Sequence, residues 1–331
     1  MKKYDLSIII PSRNEMFLKN TVEDILDKRR GNTEIIIGLD DKWPDPPITD
    51  HEDVTMIHTG QRYGQRGMAN QCVKLSRAKY VAKCDAHCGF DEGFDVKLMA
   101  DMKDDWTVVP VMRNLHAFDW VCTKCGWRTY QGRTPIKCGW KKDRKTDWHK
   151  IGGCDAEGTL IRDFKWIGKN NPQSDSYRFD TEPHFQYFKA YRKRPEYQKM
   201  LKETGLTESM SLQGSFFMLT REKYWELNIC DENFGSWGSQ GMEVAIKTWL
   251  SGGRVIVNHN TWYGHMFRSQ GGDFGFPYPN ADRKVDENRA LAKDYFFNNK
   301  FDKAIHPLSW LIEKFWPIPG WTEEDLKKLD G

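Results

Sequence analysis

The chain has 331 residues, 39% of them apolar and 13% aromatic, enough to bury the core of one large α/β domain or two smaller ones. Fifty Lys and Arg stand against 47 Asp and Glu, so a net charge of +3 excludes polyanion binding by overall charge and leaves it to local patches. No stretch approaches the roughly 20 apolar residues that span a bilayer. Met1-Lys2-Lys3 leads straight into a strand with no cleavable signal, which predicts a cytoplasmic protein. Eight cysteines in so long a chain do not make a small secreted disulfide framework, and three lie close enough together to suggest a metal instead. The sequence holds no internal repeat and no low-complexity tract.

In chain order, Leu6 to Pro11 is an apolar strand, Ser12 to Glu15 a loop, and Phe17 to Lys28 an amphipathic helix with Val22, Ile25 and Leu26 on one side. Glu34 to Leu39 repeats the buried-strand signature and ends in Asp40-Asp41, and Thr55 to Thr59 predicts a third strand. Gly64 to Arg77 reads as a helix that leads to the strand Tyr80 to Cys84. Such alternation, with nearly uninterrupted apolar strands, predicts a Rossmann-like, mostly parallel sheet flanked by helices. Ligands then bind beyond the carboxyl ends of the strands. That rule places Ser12 to Glu15, Asp40-Asp41 and Asp85-Ala86-His87 along one polar, acidic rim, with Arg62 and Arg66 near enough to contact phosphate or base.

Asp85 and His87 lie two residues apart at a strand end, so both side chains can face one side. With His265, far downstream in Gly264-His265-Met266-Phe267-Arg268, they make a candidate divalent-metal site that keeps positions open for phosphate oxygens. Mixed oxygen and nitrogen ligands favour Mn²⁺ over Ca²⁺, with Mg²⁺ the alternative. The competing reading makes Asp85 a helix cap and His87 an ordinary loop residue.

After Val111 the rhythm breaks, and residues 113 to about 175 are rich in Trp, Cys, Lys and Gly. This reads as an insertion. Cys122 and Cys125 have zinc-knuckle spacing, and Cys138 follows with its own Gly-Trp, as Cys125 has; Cys154 or His149 would complete a tetrahedral site. Otherwise these are free thiols packed among tryptophans. Cys84 and Cys88 are expected to pack in the sheet and helix. Lys137 to Lys150 holds six basic and two acidic residues. Gln186 to Glu203 has the same counts, with Tyr187, Phe188, Tyr191 and Tyr197 interleaved. Basic and aromatic residues together suit nucleic acid, and a solvated face is the alternative.

Regular structure resumes at Leu212 to Leu219, a helix around Arg221 to Leu227, and a helix from Met242 to Leu250 stopped by Gly252-Gly253. Arg254 to Asn258 is a further strand that delivers His265 to the rim.

Seven pieces in order carry a resemblance: Ile8-Ile9-Ile10-Pro11-Ser12-Arg13-Asn14-Glu15, Leu39-Asp40-Asp41, Arg62-Tyr63-Gly64, Asp85-Ala86-His87-Cys88, Gly214-Ser215-Phe216-Phe217, Trp237-Gly238-Ser239-Gln240-Gly241-Met242-Glu243 and Gly264-His265-Met266-Phe267-Arg268. A weaker match continues through Asn288-Arg289 to Asp294-Tyr295. The sequence resembles GT-A fold glycosyltransferases, most closely the polypeptide N-acetylgalactosaminyltransferase family. The resemblance implies that Asp85, His87 and His265 bind Mn²⁺, that Asp41 and Arg62 hold uridine with Pro11 lining its pocket, that Gly214 and Trp237 belong to the sugar pocket, and that Arg268 contacts the diphosphate. The residues from Ser269 to Pro279, with three glycines, correspond to the family's mobile loop or form a plain surface loop. One departure stands out: Gln240-Gly241 replaces the family's Glu-Asn, so neither position offers a carboxylate base. That favours transfer with retention. Glu243 suits holding an acceptor or structuring the helix start.

The reading is therefore a GT-A core with an inserted Cys-rich zinc element: residues 1–112 a nucleotide-sugar half, 113–175 the insertion, 176–268 an acceptor and catalytic half, and 269–331 a mobile loop with C-terminal helices. The expected catalytic group is Asp85, His87, His265, Trp237 and Arg268. The nucleotide sugar is expected on Pro11, Arg13, Glu15, Asp40, Asp41, Arg62, Gly214, Gln240 and Glu243. The expected reaction is metal-dependent hexosyl or N-acetylhexosaminyl transfer from a UDP-sugar to a hydroxyl, with a macromolecular acceptor such as a hydroxylated base in DNA. Protein Ser/Thr or a polysaccharide is the alternative acceptor. An inactive transferase fold serving as a zinc-containing nucleic-acid-binding protein is the alternative of another class.

Overall fold

The structure is a computed structural model that describes residues 4–142, 147–236, 238–267 and 282–329. Its first half alternates as the hydrophobic pattern predicts: β1 (Leu6–Ser12), α1 (Leu18–Lys28), β2 (Thr33–Asp40), β3 (Val54–Thr59), α2 (Gly64–Leu75), β4 (Tyr80–Cys84), β5 (Cys88–Phe90) and α3 (Phe94–Ala100). Every residue of β1 is buried, because helices cover both faces of the sheet and alternation has no solvent face to serve. The packing is close: a Cβ at Gly38 on β2 would meet Cys72 and Met68 of α2 at 2.7 Å.

There follow β6 (Trp106–Cys122), β7 (Arg128–Tyr130), β8 (Trp140–Lys142), β9 (Trp148–Lys150), β10 (Leu160–Ser174), β11 (Tyr177–Phe179), β12 (Phe185–Tyr187), α4 (Pro195–Thr204), β13 (Leu206–Glu208), β14 (Phe216–Thr220) and α5 (Arg221–Glu226). The chain then forms α6 (Gln240–Leu250), β15 (Arg254–His265), α7 (Asp282–Phe297), α8 (Leu308–Lys314) and α9 (Glu323–Lys327).

The main sheet has the order β13-β15-β6-β14-β4-β1-β2-β3. Six of these eight strands run the same way, and β14 and β13 run against them. The reversal of β14 matters for the site. It pairs Phe216 with Cys84, so the amino end of β14, carrying Gly214 and Ser215, lies beside the carboxyl end of β4, where Asp85 N–H donates to Ser215 C=O at 2.8 Å.

The inserted region is more regular than its sequence suggests. β6 runs without a break from the sheet core at Trp106 out to Cys122, and β10 returns antiparallel along it from Leu160 to Ser174. Register shifts between Phe164 and Ile167 and between Gly168 and Gln173 break the two-residue alternation, which is why no period shows in the sequence. The base of this arm adjoins the rim, since Asn114 on β6 pairs with His265 on β15. A small cluster of Phe17, Leu115, Ala117, Phe118, Trp120 and Met266 packs the arm against the start of α1.

In the stretch Gln186 to Glu203, three of the four aromatic residues serve the core, while Tyr187 is exposed. Phe188, Tyr191 and Tyr197 are core residues, and Arg194 stacks over the first two while donating to the carbonyls of Phe315, Trp316 and Pro317. Their aromatic spacing reflects packing.

Candidate active site

β4 is a buried strand whose last turn of alternation puts Lys83 and Asp85 on one side. Asp85 is the centre of the site. Its Oδ1 accepts from Lys83 Nζ and from Gln65 Nε2 at 3.1 Å. Its Oδ2 faces His265 Nε2 at 3.3 Å and His87 Nε2 at 3.9 Å. Burial alone would raise the Asp85 pKa, but the Lys83 ammonium and the two imidazoles outweigh it and hold the carboxyl well below the usual carboxylate range. The carboxylate oxygen and the two imidazole nitrogens all lie within 4.8 Å of one another.

His87 Nδ1 lies 3.1 Å from Glu15 Oε2, which orients the ring and leaves Nε2 toward Asp85. Glu15 in turn accepts from Phe17 N–H at the start of α1, 3.2 Å away. His265 is 7% exposed, and neither of its ring nitrogens has a hydrogen-bond partner among the described residues. Burial lowers its pKa to about 4, helped by His87 and Lys83 against the opposing pull of Asp85, so the ring is neutral at physiological pH. A buried neutral imidazole with orphaned nitrogens, a carboxylate held ionised and a second imidazole oriented by a carboxylate fit a divalent cation.

These groups open into a cavity of about 570 Å³ lined also by Pro11, Arg13, Gly214, Gln240, His184 and Arg289. Glu15 and Asp85 are the carboxylates among its described lining residues, and both are engaged with histidines or Lys83. Gln240 is buried and donates to Cys230 Sγ at 3.1 Å. Gly241 has no room for a side chain, because a Cβ there would lie 2.1 Å from the Leu212 carbonyl oxygen.

Of the other expected residues, Asp41 and Arg62 form an exposed pair at 2.9 Å, with Arg13 Nη2 3.6 Å from the same carboxylate, and Arg62 holds the Asp41 pKa below its ordinary value. Asp40 is buried and accepts from the N–H groups of Tyr63 and Gly64, fixing the start of α2. Glu243 and Arg66 are both 0% exposed and paired at 2.7 Å through Arg66 Nη2, so neither side chain reaches the cavity. Arg66 also donates to the carbonyls of Gly235 and Gly238, anchoring the loop before α6. Trp237, Arg268 and the Ser269–Pro279 loop lie outside the described residues.

Lys83, Gln65, His184 and Arg289 join the cavity without having been singled out for it. Lys83 had a legible signal, a charged residue two places before Asp85 in an apolar strand. Gln65 and His184 arrive through tertiary packing; His184 is held by Asp180, 3.1 Å away.

At the tip of the arm, the sulfurs of Cys122, Cys125, Cys138 and Cys154 also lie within 4.8 Å of one another. The pairs Cys122–Cys154 and Cys125–Cys138 are 3.9 and 3.5 Å apart. Disulfide sulfurs stand at about 2.05 Å, whereas thiolates about 2.3 Å from a tetrahedral zinc ion lie about 3.8 Å apart. The backbone N–H of Cys154 points at Cys138 Sγ at 3.4 Å. Cys154, not His149, completes this group; His149 turns to the Asp147 carbonyl. Cys84 and Cys88 are buried free thiols.

Residues 7–165 match the family model described as Glycosyl transferase family 2. Over that stretch, just under half of the chain, the sequence is similar to glycosyltransferase domains of family 2. Its relatives include putative polypeptide N-acetylgalactosaminyltransferase 13 of Drosophila melanogaster, 30% identical over 41% of this chain and 22% of that protein. Polypeptide N-acetylgalactosaminyltransferase 8 of the same organism is 32% identical over 25% of this chain and 14% of its own length. The chain thus spans under a quarter of either relative. The crystal structure of GalNAc-T7 with UDP, GalNAc and Mn²⁺ aligns with 99% of this chain and 54% of its own, with a TM-score of 0.57 and 16% identity, a likeness in fold. In this mixed α/β, GT-A-like fold the cavity opens at the carboxyl ends of β1 and β4, with Pro11, Ser12 and Asp85 among its lining. No helix among the described residues is long and apolar enough to cross a membrane.

Proposed function

We propose that the protein is a metal-dependent glycosyltransferase that moves a sugar from a UDP-sugar to an acceptor hydroxyl with retention. The convergence of Asp85, His87 and His265 at the floor of the cavity carries this reading. These three would hold Mn²⁺, with Mg²⁺ as an alternative, and the ion's part is to offset charge on the departing diphosphate. GalNAc-T7, whose structure holds UDP and Mn²⁺, supports the choice of nucleotide and metal. Glu15 keeps His87 in the required tautomer, and Pro11, Arg13, Asp41 and Arg62 form the nucleotide side. Trp237 and Arg268 are assigned to the sugar and the diphosphate, and Gly214 and Gln240 to the sugar pocket.

Retention follows from the carboxylates. With Glu15 and Asp85 engaged and glutamine and glycine at 240 and 241, the described lining offers no free carboxylate as base for attack from the far face. In front-face transfer the bond between the anomeric carbon and the β-phosphate oxygen breaks. The acceptor oxygen bonds that carbon on the same face, and its proton passes to the leaving phosphate oxygen.

A structural Zn²⁺ on Cys122, Cys125, Cys138 and Cys154 would set the tip of the arm, a segment with few apolar contacts of its own. Residues 113–175 hold 13 basic and seven acidic side chains, which leaves the remainder of the chain net negative. Lys124, Lys141 and Lys142 are exposed on this arm, whose base adjoins His265. That charge supports a polyanionic acceptor, a hydroxylated base in DNA. The relatives' names favour protein Ser or Thr as the second reading.

The test is UDP release from a panel of UDP-sugars with Mn²⁺, with and without EDTA, for the natural chain and Asp85→Asn. Hydroxymethylated DNA, peptides and glycans are then supplied and the products weighed and their anomers read by NMR. EDTA-sensitive turnover lost in Asp85→Asn is expected. No turnover with any donor, alongside binding of DNA, favours an inactive fold serving as a zinc-containing nucleic-acid-binding protein.

A further inference from the structure

Lys83 is an unusual neighbour for a metal site. It is 2% exposed, it lies on the sheet strand that carries Asp85, and its ammonium is divided between Asp85 Oδ1 and the Gly214 carbonyl oxygen at 2.8 Å. The carboxylate expected to attract a divalent cation therefore already has a cation in contact. Glu15, the other carboxylate lining the described cavity, is committed to His87 and to the Phe17 amide. The remaining two ligands are imidazoles. The three-ligand site thus has no net negative charge when Lys83 is counted with Asp85.

We propose that Lys83 is a built-in counter-cation, a positioning residue that keeps the divalent-metal affinity of the free protein low and ties metal binding to the donor's diphosphate. This rests on the metal and UDP-sugar reading above. Burial strengthens the effect, because a largely desolvated ammonium is screened much less by water and salt than an exposed one. It repels an incoming divalent ion, and it attracts a diphosphate. Two of its three N–H donors are taken by Asp85 and Gly214, and Lys83 lines the cavity, so the third can serve a phosphate oxygen. The diphosphate supplies the negative charge that Lys83 cancels, and metal and nucleotide then bind with positive coupling, each raising the other's affinity by the same factor. Lys83 also steers Asp85, since holding Oδ1 leaves Oδ2 toward the two histidines.

The test is Mn²⁺ titration followed by electron paramagnetic resonance on zinc-loaded protein, with and without UDP, for the natural chain, Lys83→Met and Lys83→Arg. Thermal melts confirm that each is folded, and Lys83→Gln replaces the methionine variant if that one does not fold. In the natural chain UDP should tighten Mn²⁺ binding by about tenfold or more. Lys83→Met should bind Mn²⁺ alone about tenfold more tightly than the natural chain, with the UDP effect reduced, and Lys83→Arg should keep the natural pattern. Unchanged or weaker Mn²⁺ binding in folded Lys83→Met overturns the proposal and leaves Lys83 as a packing residue. Absence of Mn²⁺ binding in every protein, even with UDP, defeats instead the metal-dependent reading on which it rests.

Discussion

Glu243→Gln should cost about 3–5 kcal/mol of stability, because it strands a guanidinium that water cannot reach. Arg66 and Glu243 are both fully buried, and Arg66 Nη2 lies 2.7 Å from each carboxylate oxygen. Two unit charges about 4 Å apart at an effective dielectric constant of about 20 attract by about 4 kcal/mol, in line with that range. Arg66 would keep its bonds to the Gly235 and Gly238 carbonyls, so the loss is the uncompensated charge and not the whole network. Arg66→Met strands Glu243 in turn, and burial already pushes that carboxyl's pKa up, so the acid can neutralise itself and soften the loss. The double variant Arg66→Met with Glu243→Gln should therefore lose about 2 kcal/mol or more less than the sum of the singles. Urea unfolding of the four proteins measures the cycle, and UDP titration of the folded forms reads the donor site separately. Additivity within about 0.5 kcal/mol, or a Glu243→Gln cost below about 1 kcal/mol, refutes the buried-pair account. If donor affinity falls while stability holds, Glu243 touches the sugar nucleotide.

Cys122→Ser should reduce bound zinc from one equivalent and lower the melting temperature, and unchanged zinc content by mass spectrometry under native conditions would remove the thiolate site. His259, whose Nε2 lies 2.8 Å from Thr207 Oγ1, is lowered to about 4 by burial and by Arg192. Its folded pKa lies below the unfolded value, so the unfolded state binds the extra proton. The stability contribution is present above about pH 6.5 and shrinks by about 1.4 kcal/mol per pH unit on acidification toward pH 4. In His259→Gln that slope should be shallower by close to one proton between those limits, and an identical curve by pH-dependent urea unfolding would contradict the assignment. Lys141→Glu with Lys142→Glu should weaken duplex DNA binding more at low salt than at high salt. An unaffected affinity would return the exposed basic tip of the arm to a solvated surface.

What could be read from the sequence was whatever repeats locally. β1, β2 and α2 follow from continuous apolar runs and a helical period, and the rim follows from the rule that ligands gather at strand carboxyl ends. Asp85 and His87 were legible because two residues in a strand share a face, and their link to His265 came through family likeness rather than spacing. The arm was hidden because its bulges erase the two-residue period on which strand recognition depends. Arg66 shows the opposite failure. Near a phosphate-binding rim an arginine at the start of α2 invites a ligand contact, yet α6 brings Glu243 against it from 177 positions away, and no local pattern encodes that meeting.

The same long-range geometry bears on the stereochemistry of transfer. Gly241 is closed to any side chain by the Leu212 carbonyl, so a carboxylate cannot be restored there without moving the backbone. Gln240 is drawn to Cys230, and the nearest acid along α6, Glu243, is spent on Arg66. Three separate packing constraints thus remove the same chemical group from the same side of the cavity. A carboxylate freed at any one of these positions could serve a base-dependent inverting transfer, so each constraint closes one route, whereas the proposed front-face transfer uses none of them.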